Sequence, residues 1–162
     1  MKRMALAVSV VVLVLSVSIW AQNTAQTKSG SNVGTWELNV AKSNYGSGTA
    51  PKSVTLTIEA AGAGFKATVD SVGADGVVRH WALSGKYDGK DNPITGNCQY
   101  GDIVALARAD VNTTTSTYKM GGKVTMTQTS VVSGDGKTMT ITGTGKNASG
   151  QAVNTVAVYD KQ

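Results

Sequence analysis

The sequence predicts an all-β protein in which an antiparallel up-and-down meander of about 8–10 strands closes into a barrel. From Val33 onward, apolar and polar residues alternate along the chain, as in strands with one buried and one solvated face. Glycine-containing pairs interrupt the alternation and favour the tight turns of β-hairpins, for example Asp75-Gly76, Gly121-Gly122 and Asp135-Gly136. Since a meander has two edge strands, closure into a barrel is the arrangement that removes both edges.

The 162 residues are enough for one domain and predict three segments along the chain. Residues 1–21 are predicted to be a signal peptide, because Lys2 and Arg3 precede an uncharged apolar run that ends near the small Ala21. A membrane anchor is the alternative, but the run of about 16 residues is shorter than the roughly 20 that a spanning helix needs. Residues 22–32 are polar and aperiodic and predict a disordered leader. Residues 33–162 are the barrel, and the predicted location is periplasmic or secreted.

The alternating segments predict the strands in chain order. The first segment has Trp36, Leu38 and Val40 on one face and polar residues on the other. Residues 88–92 (DGKDN) are predicted to be a turn, and no helix is predicted after the signal peptide. The predicted strands cover residues 34–40, 54–59, 65–70, 77–84, 103–108, 113–120, 124–132, 138–144 and 153–159.

The composition excludes several classes of function. One Cys and one His cannot form an intramolecular disulfide or a Cys/His zinc site, so no metal and no cofactor are predicted. Cys98 is expected to be buried. His80 is expected to be exposed and without an acidic partner, so no catalytic residue and no enzyme are predicted. The formal charge is +5, of which Lys2 and Arg3 carry two, and the remaining +3 is too dispersed for a nucleic-acid partner.

A membrane-spanning barrel is also disfavoured. The positions that face outward in the predicted strands are mostly Thr, Lys, Glu and Asp, and the aromatic girdles of such barrels are missing. No membrane span is therefore predicted after residue 21.

Gly34-Thr35-Trp36 at the start of the first strand, together with the last strand ending VAVYDK at 156–161, resembles the lipocalin and fatty-acid-binding-protein superfamily. More narrowly, the stretches 34–53, 80–97 and 133–162 resemble small exported bacterial lipocalin-like proteins of undefined function. The resemblance implies a lipocalin-like barrel. Two departures concern the ligand: residues 41–52 are too short and too rich in Gly and Ser for the helical lid of fatty-acid-binding proteins, and Ala157 replaces their carboxylate-binding Arg.

A barrel of this size is either filled by its side chains or has room for one small ligand. Arg79 shares a strand face with Trp81, and Arg108 shares one with Leu106, so either arginine could point into the barrel. A buried guanidinium needs an acidic partner, which would be a ligand carboxylate or an acidic side chain of the protein. An arginine that caps the barrel end against Trp36 is the alternative. Small residues at alternate positions would leave space in the lumen if they face inward: Ala67, Ala105, Ala107 and Gly143.

The predicted function is binding of a small hydrophobic or amphiphilic molecule in the lumen. The alternative is a ligand-free cell-envelope or interaction protein with a side-chain-filled barrel. Core packing is the alternative role for the aromatic candidates. The candidate ligand-binding residues are Trp36, Phe65, Arg79, Trp81, Arg108, Tyr118 and Tyr159.

Overall fold

The structure is a computed structural model that describes residues 32–146 and 150–162. The predicted signal peptide and all of the predicted leader except Asn32 lie outside the described residues. Ten antiparallel strands form a closed barrel, which confirms the predicted fold class. The strands are β1 Gly34–Leu38, β2 Ser53–Ala61, β3 Gly64–Val72, β4 Val78–Gly85, β5 Asp88–Gly96, β6 Ile103–Arg108, β7 Thr113–Met120, β8 Lys123–Val132, β9 Thr138–Lys146 and β10 Ala152–Lys161.

Each strand pairs with the next one along the chain, and β1 closes the ring by pairing with both β2 and β10. Trp36 lies opposite Lys161 and Leu38 lies opposite Tyr159 in the closing pair. A single 3₁₀ turn, Val40–Lys42, is the only helical element between β1 and β2. The segment therefore contains no helix-turn-helix lid, as its length and its Gly and Ser content predict.

Strand β5 is the one strand that the hydrophobic pattern did not predict. The interpretation of residues 88–92 as a turn is wrong, because they form the first half of this strand. Ile94 is its only large apolar residue and packs against the core. The strand pairs with β6 across a register shift between Asp88 and Asp91, but with β4 at only three positions. Its place is therefore set by backbone pairing and not by an alternating sequence.

Two apolar clusters pack inside the barrel. The smaller cluster lies at the closed end, where β1 begins and β10 ends, and surrounds Trp36, which is completely buried. The Trp36 Nε1 donates a hydrogen bond of 2.9 Å to the carbonyl oxygen of Asn32. Asn32 is itself buried, although it precedes the first strand. The larger cluster contains Phe65 and Trp81 and continues toward the opposite end.

No helix in residues 32–146 and 150–162 is long and apolar enough to cross a membrane.

Candidate functional site

The barrel encloses a cavity of about 1000 Å³. The lumen is therefore not filled by side chains, contrary to the alternative with a packed interior. Interior residues of β2, β3, β4 and β7–β10, with Leu106 of β6, form its walls. Its mouth, which lies opposite the closed end, is framed by residues 47–51, 73–75, 99–100 and 151. A cavity of this volume is at the upper end of the range that holds drug-sized ligands.

One wall of the cavity, formed by β2, β3 and β4, is apolar. Antiparallel register places the inward side chains of these strands in rows across the wall. At one side of this wall, Phe65 stacks on Tyr87 with ring centroids 4.5 Å apart. The two central rows are Ile58, Ala67 and Leu83, and Leu56, Val69 and Trp81.

The opposite wall, formed by β7, β8, β9 and β10, carries a patch of polar side chains among apolar ones such as Met126, Met139 and Ile141. Four residues form one row across this wall, each paired with the next on the neighbouring strand: Ser116, Gln128, Gly143 and Thr155. A side chain at Gly143 would collide with the Thr155 hydroxyl and approach the Gln128 side chain, so this glycine leaves room for the two polar groups. We call the side chains of Thr114, Ser116, Gln128, Ser130 and Thr155 the polar wall.

The polar wall has hydrogen-bonding capacity that the protein does not use. Thr114 and Ser116 are only 6% and 7% exposed. Within the described part of the chain, neither of their hydroxyls has a hydrogen-bond partner. Buried polar groups normally have a partner, which a ligand or water in the cavity can supply.

Besides Tyr87, four tyrosines line the cavity: Tyr45, Tyr100, Tyr118 and Tyr159. The Tyr118 ring lies 5.4 Å from that of Tyr100 and 6.3 Å, edge to face, from that of Trp81. Burial, together with the neighbouring Tyr100, raises the pKa of Tyr45 to about 12. Burial also raises the pKa of Tyr118 and of Tyr159 far above the ordinary value of 10.0. These phenols are therefore neutral near neutral pH and can donate hydrogen bonds to a ligand.

The charged side chains that line the cavity lie at the mouth. Arg79 Nη2 is 2.9 Å from Asp75 Oδ2, and a second contact joins Nη1 and Oδ1 at 3.4 Å. The hydrogen bond from Arg79 lowers the pKa of Asp75. A protein acid therefore pairs with Arg79. Lys146, exposed at the end of β9, is the other cationic lining residue among those described.

Arg108 lies behind the closed end of the cavity and does not line it. Its Nη2 donates to Asn32 Oδ1 at 3.2 Å, and its guanidinium carbon lies 3.9 Å from the ring centroid of Tyr87. Asn32 Nδ2 also donates to the Tyr87 hydroxyl at 2.9 Å. Arg108 thus occupies a capping position, and it reaches Trp36 only through Asn32.

The structure brings five of the seven predicted ligand-binding residues to the cavity: Phe65, Arg79, Trp81, Tyr118 and Tyr159. Trp36 and Arg108 do not line it, because both are packed into the closed end. Sequence reasoning missed the polar wall, although Thr114 and Ser116 share the alternation of Tyr118. It also missed Tyr45 and Tyr100, which lie outside the strands and so have no periodic signal.

Of the four small residues expected to leave space in the lumen if they face inward, two face inward and two face outward. Ala67 lines the apolar wall, and Gly143 is buried within the polar one. Ala105 and Ala107 alternate out of phase with the inward-facing Leu106, so they face away from the lumen.

His80 is exposed as expected, but the expectation that it has no acidic partner is wrong. It lies directly opposite Asp70 in the pairing of β3 with β4, and its Nδ1 is 2.6 Å from Asp70 Oδ1. A cross-strand neighbour 10 residues away has no signature in a local motif. The described residues contain no group of three His, Cys, Asp or Glu side chains that could hold a metal ion.

Comparison with known proteins supports the class of fold. No protein-family profile matches the chain, and no curated protein sequence matches it either. The chain is similar to the crystal structure of zebrafish ileal bile acid-binding protein complexed with cholic acid, with a TM-score of 0.50 and 15% sequence identity. The match covers 82% of this chain and 99% of that chain. At this identity the likeness shows the fold alone: the chain is an antiparallel β-barrel similar in fold to that protein.

Proposed function

We propose that this protein binds a small hydrophobic or amphiphilic molecule inside its barrel, without catalysis. The observation that carries the proposal is the cavity of about 1000 Å³, which has an apolar wall on one side and unpaired polar groups on the other. Large, largely preformed apolar cavities with a few converging polar groups are typical of small-molecule binding sites. The bile acid-binding protein of similar fold, crystallised with cholic acid, adds support at the level of fold.

Two measurements test the binding function. Native mass spectrometry of the protein purified from its own host should detect a co-purifying small molecule. In a panel of lipids and other hydrophobes, at least one compound should raise the melting temperature, since a ligand that binds only the folded state stabilises it by mass action. Absence of both signals would refute the proposal.

A matched pair of variants locates the binding site. Ala67→Phe places a ring in the lumen from the centre of the apolar wall and should abolish the thermal shift. Thr68→Phe, one residue along β3, places the same ring on the outer face and should leave the shift unchanged. Circular dichroism confirms that both variants are folded. An equal thermal shift in the two variants would exclude the lumen as the site.

We also propose that the chain is exported to the periplasm or the extracellular space and that residues 1–21 are removed on export. The basic start, the uncharged run and the small Ala21 support this proposal. N-terminal sequencing of the protein recovered from its host should begin at Gln22. A protein that still begins at Met1 and stays with the cell membrane would contradict it.

A further inference from the structure

We propose that the cavity selects an uncharged amphiphile that carries hydroxyl or carbonyl oxygens along one face and hydrocarbon along the other. This inference rests on the proposed function and adds the chemical class of the ligand. It follows from the distribution of polar, apolar and charged groups over the two walls.

The two walls face each other, so a bound molecule touches both. The wall of β2–β4 presents Leu, Ile, Val and aromatic side chains, and burying apolar surface against them is favourable by roughly 25 cal/mol per Å². The wall of β7–β10 presents hydroxyls and one carboxamide in adjacent rows, beside apolar side chains such as Met126 and Ile141. A purely apolar ligand would cover these groups without replacing their hydrogen bonds, which costs free energy. A ligand with oxygens along one side satisfies them.

The cavity lining offers no interior cation to a carboxylate or a phosphate, because Arg108, whose buried Nε has no hydrogen-bond partner in the described residues, is held behind Asn32 and Tyr87. Among residues 32–146 and 150–162, the charged groups that line the cavity are Asp75, Arg79 and Lys146, all at the mouth. Arg79 is already paired with Asp75, and Ala157 fills the position near the closed end where the resemblance predicts an arginine. An anion inside the lumen would lose its hydration without a counterion, so a neutral ligand is favoured.

The remaining polar groups donate to neutral oxygen. The phenols of Tyr45, Tyr118 and Tyr159 lie on the cavity surface and have no hydrogen-bond partner in the described ranges. The indole Nε1 of Trp81 is likewise unpartnered there. Since phenol and indole N–H groups are good donors to hydroxyl and carbonyl oxygens, they complement a neutral oxygenated molecule.

Three steroids with one carbon skeleton test the ligand class. Methyl cholate has three hydroxyls on one face and no charge; cholate has the same hydroxyls and a carboxylate; methyl 5β-cholanoate has neither hydroxyls nor charge. Displacement of the neutral dye Nile red from the purified barrel measures each affinity. Methyl cholate should bind about tenfold or more tightly than methyl 5β-cholanoate, the gain expected from one or two hydrogen bonds. It should also bind more tightly than cholate, because the carboxylate would lose its hydration without a counterion.

A variant pair assigns the effect to the polar wall. The double variant Ser116→Ala with Gln128→Leu should lose most of the preference for methyl cholate over methyl 5β-cholanoate and should retain Nile red binding. Thr127→Val, on the outer face of β8 beside Gln128, should keep the preference. If the double variant does not fold, Ser116→Ala alone should reduce the preference in the same direction.

The outcomes separate the two proposals. No binding of Nile red or of any steroid would overturn the proposed function and this inference together. Nile red binding with equal affinity for methyl cholate and methyl 5β-cholanoate, or cholate binding as tightly as its ester, would overturn the inference and leave the proposed function standing. An unchanged preference in the polar-wall variants would also overturn it.

Discussion

Two tryptophans that sequence reasoning assigned the same role should respond oppositely to the same substitution. Trp36 is fully buried in the closed end and does not line the cavity, whereas Trp81 lies in the apolar wall. We expect Trp36→Phe to lower stability and leave ligand affinity unchanged. We expect Trp81→Phe to lower affinity with a smaller loss of stability.

The size of the Trp36 effect follows from its contacts. Phenylalanine cannot donate the 2.9 Å hydrogen bond to Asn32, and the carbonyl left unpaired in a buried residue costs about 1–3 kcal/mol. A smaller ring also leaves a cavity and weakens the contact with the Lys161 amine, 5.0 Å from the indole ring. The total should be about 2–4 kcal/mol, a fall in melting temperature of about 4 °C or more. The Trp81 indole N–H has no hydrogen-bond partner among the described residues, so that loss does not arise there.

Urea unfolding followed by circular dichroism gives the two stabilities, and Nile red titration gives the two affinities. The two variants are each other's control, because they change the same side chain in the same way. If Trp36→Phe weakened Nile red binding as much as Trp81→Phe, or if Trp81→Phe destabilised the barrel as much as Trp36→Phe, the division into closed end and binding wall would be refuted.

Three further predictions concern single sites. Gly96→Ala should lower the urea midpoint of unfolding more than Gly89→Ala. Both glycines have a positive φ, +92° and +76°, but only at Gly96 would the new Cβ collide with the backbone of His80. Equal losses of stability would contradict this close contact between Gly96 and His80. The pKa of Tyr45 is raised from 10.0 to about 12, so the free energy of unfolding should fall as pH rises from 10 toward 12. Tyr45→Phe should reduce this fall in alkaline unfolding curves. Cys98, expected to be buried, is half-buried, and this raises the pKa of its thiol. Alkylation by iodoacetamide should therefore be slower in the folded protein than in urea, and equal rates would contradict its partial burial.

Much of the fold could be predicted because the signal that specifies it is local. The alternation from β1 to β10 records which side of each strand is buried, and the glycine-containing turns force consecutive strands to pair. Strand β5 escaped prediction because backbone pairing with β6 holds it, although its side chains are mostly polar. A strand without an apolar face shows no alternation of apolar and polar residues from which it could be predicted.

The aromatic residues of the site and Arg79 could be predicted, but its small hydroxyl-bearing residues could not. Phe65 and Trp81 stand out as large apolar residues in alternating strands, and both line the cavity. Strand β7 reads TTTSTYKM, so an inward hydroxyl at Ser116 looks the same in sequence as an outward one at Thr117. For the same reason the sequence could not distinguish the role of Arg79, paired at the mouth, from that of Arg108, which caps the closed end.

Alternation and turn chemistry alone determine an antiparallel barrel with an enclosed interior, because both act over a few neighbouring residues. Only tertiary structure decides that an apolar wall faces a wall with a polar patch, since barrel closure brings β2–β4 and β7–β10, which are far apart in the chain, to opposite sides of one cavity. The pairings of β7 with β8, of β8 with β9 and of β9 with β10 set Thr155 in the same row as Ser116. The shape of the ligand site is therefore a property of the register between strands, which no single segment carries.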